Sequence, residues 1–124
     1  MNSSGGFDGL HLMANLGGCA AAESVLRDSA ALRANCIDLV AAAGLVAVGE
    51  CFHQFGRGGG VTGVVMLAES HLSIHTWPER RFVTLDVFVC NMNSDNRAKA
   101  RQLFAALVAL FRPNDERFYE VERA

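Results

Sequence analysis

The residues best equipped for chemistry lie together. Ala68-Glu69-Ser70-His71-Leu72-Ser73-Ile74-His75-Thr76-Trp77-Pro78-Glu79 holds two histidines, three hydroxyls and two carboxylates in twelve residues of a chain that is 51% apolar. A buried strand does not gather such groups for stability, because each buried polar atom needs a partner. Three chemistries are open to them. His71 and His75 have the spacing of metal ligands on a helix, but Leu72-Ser73-Ile74 between them favours a strand, which separates them by about 13 Å. Neither an HExxH pattern nor a close cysteine pair accompanies them. Ser70 or Ser73 would serve as a hydrolase nucleophile with a histidine base, though no GxSxG elbow surrounds either. The third reading is a polar strand edge with ordinary hydrogen-bonding histidines, and composition alone prefers it.

The stretch Glu69-Ser70-His71-Leu72-Ser73-Ile74-His75-Thr76-Trp77-Pro78-Glu79 resembles the self-cleavage segment of the bacterial S-adenosylmethionine decarboxylases. These are pyruvoyl-dependent enzymes made as proenzymes. The resemblance extends through Gly9-Leu10-His11-Leu12, Gly18-Cys19, Phe52-His53-Gln54-Phe55 and Asp86-Val87-Phe88-Val89-Cys90, and so covers most of the chain. It implies a single domain over residues 1–124 that cleaves itself between Glu69 and Ser70 into a β chain, 1–69, and an α chain, 70–124. The Ser70 hydroxyl would attack the Glu69 carbonyl, converting amide to ester. β-Elimination would then free the β chain, and the dehydroalanine left behind would hydrolyse to a pyruvoyl group.

That covalent pyruvoyl group, derived from Ser70, is the implied cofactor and the site of Schiff-base formation; no metal is implied. By the same resemblance, Thr62 matches the processing hydroxyl, where the family usually has serine, and His75 matches the processing base. Cys90 matches the proton donor to the decarboxylated carbanion, a role suited to a thiol of pKa about 8.5 that is mostly protonated at neutral pH. Phe55 matches the ring that stacks on adenine and Glu79 the carboxylate that holds the ribose hydroxyls. An aromatic ring also suits a sulfonium cation. The implied reaction converts S-adenosylmethionine to its decarboxylated form, the aminopropyl donor for spermidine synthesis.

The alternative is the same chemistry on L-ornithine or L-arginine, since any α-amino acid can form the Schiff base. Arg57, beside Phe55, is awkward next to a cationic side chain and favours S-adenosylmethionine. An unprocessed binding or regulatory homologue is a third reading, against which Ser70, His75 and Cys90 all argue. The resemblance further implies association of the β and α chains and pairing of αβ units into a homodimer. Two segments depart from the family pattern: Gly56–Gly60 replaces a proline-containing loop, and Asn15 and Gly17 stand where an acid and an aromatic are usual. Both lie where substrate would bind.

Composition sets the frame for these groups. The 124 residues suit one domain. Eleven basic and thirteen acidic residues give a net charge of −2, without the basic excess of a nucleic-acid binder. Arg97, Lys99 and Arg101 read as the solvated face of a helix. No segment reads as membrane-spanning: the run Leu39 to Val48 is ten residues, against about 20 needed. No Lys or Arg precedes Arg27, which speaks against a signal peptide, so a cytoplasmic location is expected. The four cysteines form no CxxC; Cys19, Cys36 and Cys51 read as small buried hydrophobes. His11 and His53 read as satisfied core or supporting histidines.

Periodicity supplies the elements. Met1 to Gly6 is a loose start, and Leu10 to Leu16 a short strand closed by Gly17-Gly18. From Ala20 to Ala43, spacings of three and four describe one helix, stopped by Gly44. Strands follow over Leu45 to Phe55, Val61 to Ala68, His71 to Thr76 and Phe82 to Cys90. Ser94-Asp95 can cap a second helix to about Phe111, and Arg117 to Val121 adds an edge strand. The order β-α-β-β-β-β-α-β predicts an α+β two-layer sandwich, a mostly antiparallel sheet with two helices packed on one face. In Phe82 to Cys90 one parity (Val83, Leu85, Val87, Val89) is aliphatic and the other is mixed, as expected of a face left for a ligand or partner. Parity also places Thr62 and Ser70 on one face.

Overall fold

Alternating side chains decide the architecture. In the computed structural model, which describes residues 8–91 and 94–123, the elements are β1 (Gly9–Gly17), α1 (Glu23–Arg27), α2 (Ser29–Ala42), β2 (Ala47–Gln54), β3 (Val61–Leu67), β4 (Ser70–Trp77), a 3₁₀ turn (Pro78–Arg80), β5 (Phe82–Cys90), α3 (Arg97–Phe111) and β6 (Asp115–Arg123). The expected loose start, Met1 to Gly6, lies outside the described residues. The strands form one antiparallel sheet in the order β2-β3-β4-β5-β1-β6. Leu10, Leu12 and Leu16 of β1, Leu72 and Ile74 of β4, and the aliphatic set of β5 are buried on the inner face. There they meet Leu26, Leu32, Cys36 and Val40 of the first helices and Leu103, Leu107 and Phe111 of α3. Burying each such side chain contributes about 1.5–3 kcal/mol. The α+β sandwich read from the sequence is therefore the observed fold. No described helix is long and apolar enough to cross a membrane.

Local chemistry explains where the elements differ from expectation. The single helix expected over Ala20 to Ala43 is two, broken at Asp28. Asp28 has an extended backbone, and its carboxylate accepts hydrogen bonds from the N–H groups of Ala30 and Ala31 at 2.9 and 3.4 Å. An aspartate that caps a new helix start outcompetes helix continuation at this point. The Ser29 N–H donates instead to Gln54 Oε1 at 2.9 Å, tying the break to the end of β2. At the third helix, Asp95 Oδ1 accepts from the Arg97 N–H at 3.0 Å, but Asn96 is the boundary residue.

Three side chains lie elsewhere than the sequence suggested. Cys51 and His53 are exposed rather than buried, because they fall on the outer parity of β2, an edge strand. Cys19 and Cys36 are buried as expected, and burial pushes the Cys36 thiol up to about 12. His11 is only partly covered and is not satisfied: its Nε2 has no hydrogen-bond partner among the described residues. Finally, β3 ends at Leu67 and Ser70 opens the next strand, opposite Leu67 and Val89, so the shared parity of Thr62 and Ser70 does not survive the turn.

Candidate active site

Among the described residues no helix covers the outer face of the sheet, and the chemistry-bearing residues collect at the two ends of the sheet, with Ser70 on the inner parity beside Leu67 and Val89. At one end the β3–β4 hairpin turns through Ala68-Glu69 into Ser70. The Ala68 N–H donates to the Val46 carbonyl at 2.8 Å, and the Cys90 N–H donates to the Glu69 carbonyl oxygen at 2.8 Å. That second bond aims a backbone dipole at the carbonyl of the Glu69–Ser70 amide, the arrangement that stabilises an oxyanion developing there. Ser70 has φ of 155°, in a region that favours glycine. Such a backbone stores roughly 1–3 kcal/mol. Its hydroxyl lies 3.2 Å from His71 Nδ1. Cys90, on the outer parity of β5, is half-buried and pairs with Gly9.

At the other end, Thr62 of β3 and His75 of β4 are direct cross-strand partners, and Thr62 Oγ1 lies 3.0 Å from His75 Nδ1. They line an open cleft of about 320 Å³ together with Phe55, Gly60, Thr76, Trp77 and Glu79. That volume falls in the range of small-molecule sites. Phe55 is 53% exposed and packs edge-on against the His53 ring, 4.6 Å between centroids; it is not core. The His75 and Trp77 rings are 6.0 Å apart. Pro78 opens the 3₁₀ turn that presents Glu79 to solvent at the rim.

The departing loop is built to hold this cleft. The Phe55 N–H donates to the Gly60 carbonyl at 2.8 Å, Gln54 Nε2 donates to Gly59 and Gly60 carbonyls at 3.2 and 3.3 Å, and Arg27 donates to the Gly58 carbonyl at 2.6 Å. A Cβ on Gly59 would come 1.9 Å from the Phe55 oxygen, and one on Gly60 2.3 Å from the Thr76 oxygen. Glycine is therefore required for the close approach at both positions. Below the cleft, buried Thr76 donates to the Leu26 carbonyl at 2.8 Å and accepts from the Val61 N–H at 2.9 Å.

The two ends do not meet within one chain. Ser70 and His75 are five residues apart on one strand, roughly 16 Å at about 3.3 Å per residue. The structure thus groups Glu69, Ser70 and Cys90 in one cluster and Thr62, His75, Phe55 and Glu79 in another. His71 and His75 are likewise separated along the strand, which removes the metal-pair geometry a helix would have given. Among the described residues no group of three or more His, Cys, Asp or Glu could hold a metal ion. From the sequence His71 reads as a metal ligand or an ordinary hydrogen-bonding histidine; its adjacency to Ser70 was the signal for its contact. Gln54 and Thr76 were missed, since their partners lie 25 and 50 residues away.

Between the ends lies a polar centre. Asp86 accepts from the Ser73 hydroxyl at 3.2 Å and stands 4.0 Å from His11 Nε2, while Arg123 lies 4.7 Å over the Phe88 ring. Burial holds the His11 imidazole below its ordinary value, against the pull of Asp86.

Comparison with known proteins identifies the family. Residues 10–124 match the family model described as S-adenosylmethionine decarboxylase. A S-adenosylmethionine decarboxylase proenzyme of Pyrobaculum aerophilum is 41% identical over 105 residues, covering 85% of this chain and 79% of that protein. One from Archaeoglobus fulgidus is 37% identical over 115 residues, covering 93% and 96%. The crystal structure of the adenosylmethionine decarboxylase from Aquifex aeolicus superposes with a TM-score of 0.83 at 31% identity, covering 95% of this chain and 92% of that one. A chain matched by the family model from its first strand to its end, and sharing the family's sheet, belongs to the S-adenosylmethionine decarboxylase family and is a carboxy-lyase.

Proposed function

We propose that the chain cleaves itself between Glu69 and Ser70 and then decarboxylates S-adenosylmethionine with a pyruvoyl group made from Ser70. The observation that carries this reading is the hydrogen bond from the Cys90 N–H to the Glu69 carbonyl, 2.8 Å, on the amide beside a serine with a strained backbone. Ser70 fits as the source of the group: it opens β4, is half-buried, and neighbours the strand that ends in Cys90. A pyruvoyl carbonyl supplies the electron sink that loss of carbon dioxide from an α-amino acid needs. Cys90 would return a proton to the substrate carbon, and its outer-parity position at the end of the strand paired with Ser70 supports that role. Phe55 and Trp77 offer rings to an adenine and a sulfonium, and Glu79 a carboxylate to ribose hydroxyls. The names of the relatives favour S-adenosylmethionine over ornithine or arginine.

The working unit in this reading is a homodimer of αβ units in the cytoplasm. The separation of the two clusters supports it. A two-fold axis through the uncovered face would bring the Thr62–His75 end of one copy to the Ser70–Cys90 end of the other. Exposed Met66, Trp77, Tyr119 and Val121 give that face apolar area to bury. Intact mass of the purified protein tests the cleavage: two chains separated between Glu69 and Ser70 are expected. A single continuous chain overturns the reading. Release of labelled carbon dioxide from S-adenosylmethionine, compared with ornithine and arginine, tests the substrate.

A further inference from the structure

We propose that His71 is the base for the first step of self-cleavage, the attack of Ser70 on its own preceding carbonyl. This rests on the cleavage proposed above and adds a residue to which that reading gives no role. The first step needs three things at one amide: a nucleophile, a donor on the carbonyl oxygen and an acceptor for the hydroxyl proton. The nucleophile is Ser70 Oγ, and the donor is the Cys90 N–H, 2.8 Å from the Glu69 oxygen. The acceptor within reach is His71 Nδ1, 3.2 Å from Ser70 Oγ. His75 is five residues farther along β4 in the same chain and is engaged with Thr62 at 3.0 Å.

The ring of His71 is held where this contact requires it. Its strand neighbour Phe88 packs against it, 5.9 Å between ring centroids, and Met66 is its partner on β3. With the ring proton on Nε2, Nδ1 presents a lone pair to the hydroxyl. Proton transfer from Ser70 Oγ to His71 Nδ1 accompanies formation of the Oγ–C bond to Glu69, and the negative charge on the former carbonyl oxygen faces the Cys90 N–H. As the C–N bond breaks, the proton passes from His71 to the departing Ser70 nitrogen, leaving an ester and a free amine with atoms and charge balanced. Strain at Ser70 is released when the amide opens. The later β-elimination, which removes the Ser70 α-proton, then falls to a separate base, and the two histidines of β4 divide the sequence between them.

Hydroxylamine separates the two steps, because it cleaves esters and leaves amides intact. His71→Asn keeps a hydrogen-bonding atom beside Ser70 but cannot take its proton; His71→Ala removes both. Purified precursors would be followed by intact mass, with His75→Ala as the reference for arrest after the ester. Expected are cleavage at least about 100-fold slower in both His71 variants, no hydroxylamine-sensitive bond in either, and recovery of His71→Ala by about 10-fold or more with added imidazole. Retained melting temperature of His71→Asn distinguishes lost chemistry from lost folding; should it be depressed, imidazole recovery of His71→Ala decides. Cleavage of His71→Asn at the wild-type rate, or an accumulated ester in either variant, overturns the assignment. If the wild-type chain itself never cleaves, the parent reading fails instead.

Discussion

Thr62 and His75 face each other across β3 and β4 with hydroxyl and Nδ1 3.0 Å apart, and that pair stands five residues along the strand from Ser70. If a second copy supplies the pair, two inactive chains can repair each other. A mixed dimer of Ser70→Ala and His75→Ala subunits contains one site with both defects and one with neither. Co-expression should therefore restore cleavage of the Ser70-bearing chain, to about half of all such chains or fewer according to the share of mixed dimers, although neither variant cleaves alone. No cleaved chain in a purified mixed dimer would place both residues in one protomer's site.

Cys90 contributes two different groups, and one substitution separates them. Its backbone N–H faces the Glu69 carbonyl, whereas its thiol lies on the outer face. Cys90→Ala keeps the N–H and loses the proposed proton donor. Cleavage is expected to proceed within a few-fold of wild type, while decarboxylation falls by about 10²- to 10⁴-fold. Normal turnover in the cleaved variant would remove Cys90 from the reaction.

The cleft predicts a split in kinetic constants. In the reading proposed above, Phe55→Ala and Glu79→Gln act on groups that would meet only the nucleoside end of a substrate bound in the cleft they line with Trp77. Each should raise KM for S-adenosylmethionine about 10-fold or more, at roughly 1.4 kcal/mol per tenfold, with self-cleavage unchanged. Unaltered KM in both variants would move the nucleoside elsewhere.

What could be read along the chain, and what could not, follows from the range of the forces involved. The parity of Val83, Leu85, Val87 and Val89 is local and correctly assigned the inner face of β5, and the alternation around it led to the sheet. The motif from Glu69 to Glu79 pointed to the family that the comparisons show. It also compressed the site misleadingly: Ser70 and His75 are close in sequence, but an extended strand carries them apart. Cys51 looked like a core residue because composition does not reveal which strand is an edge. Asp28 was an available signal, a capping residue inside a helical pattern, that the apolar periodicity on either side concealed. Gln54 and Thr76 act through partners 25 and 50 residues away, which spacing along the chain does not display.

Thr76 is the buried polar link between the cleft and the helical layer. Its hydroxyl both donates to Leu26 and accepts from Val61. Thr76→Val preserves shape and strands a backbone donor and acceptor in the core. A loss of about 1–3 kcal/mol in urea unfolding is expected, larger than for Thr76→Ser, which keeps the hydroxyl. Equal stability of the valine and serine variants would refute the link.

His11 gives the fold a pH dependence of definite sign. Burial lowers its pKa from 6.5, with Asp86 opposing and Arg123 and His71 adding to the shift. The unfolded chain therefore takes up the proton first as pH falls, and the folded state loses stability once pH drops below 6.5, until the folded imidazole also titrates. Above 6.5 this group favours neither state through its charge. His11→Gln, which stays neutral, should flatten the stability profile below pH 6.5 while leaving the side above it unchanged. An identical slope in the variant would assign the acid sensitivity to other groups. A covering second copy would deepen the burial, so the same substitution should also reduce the loss of dimer at the acid end, as read by sedimentation across that range.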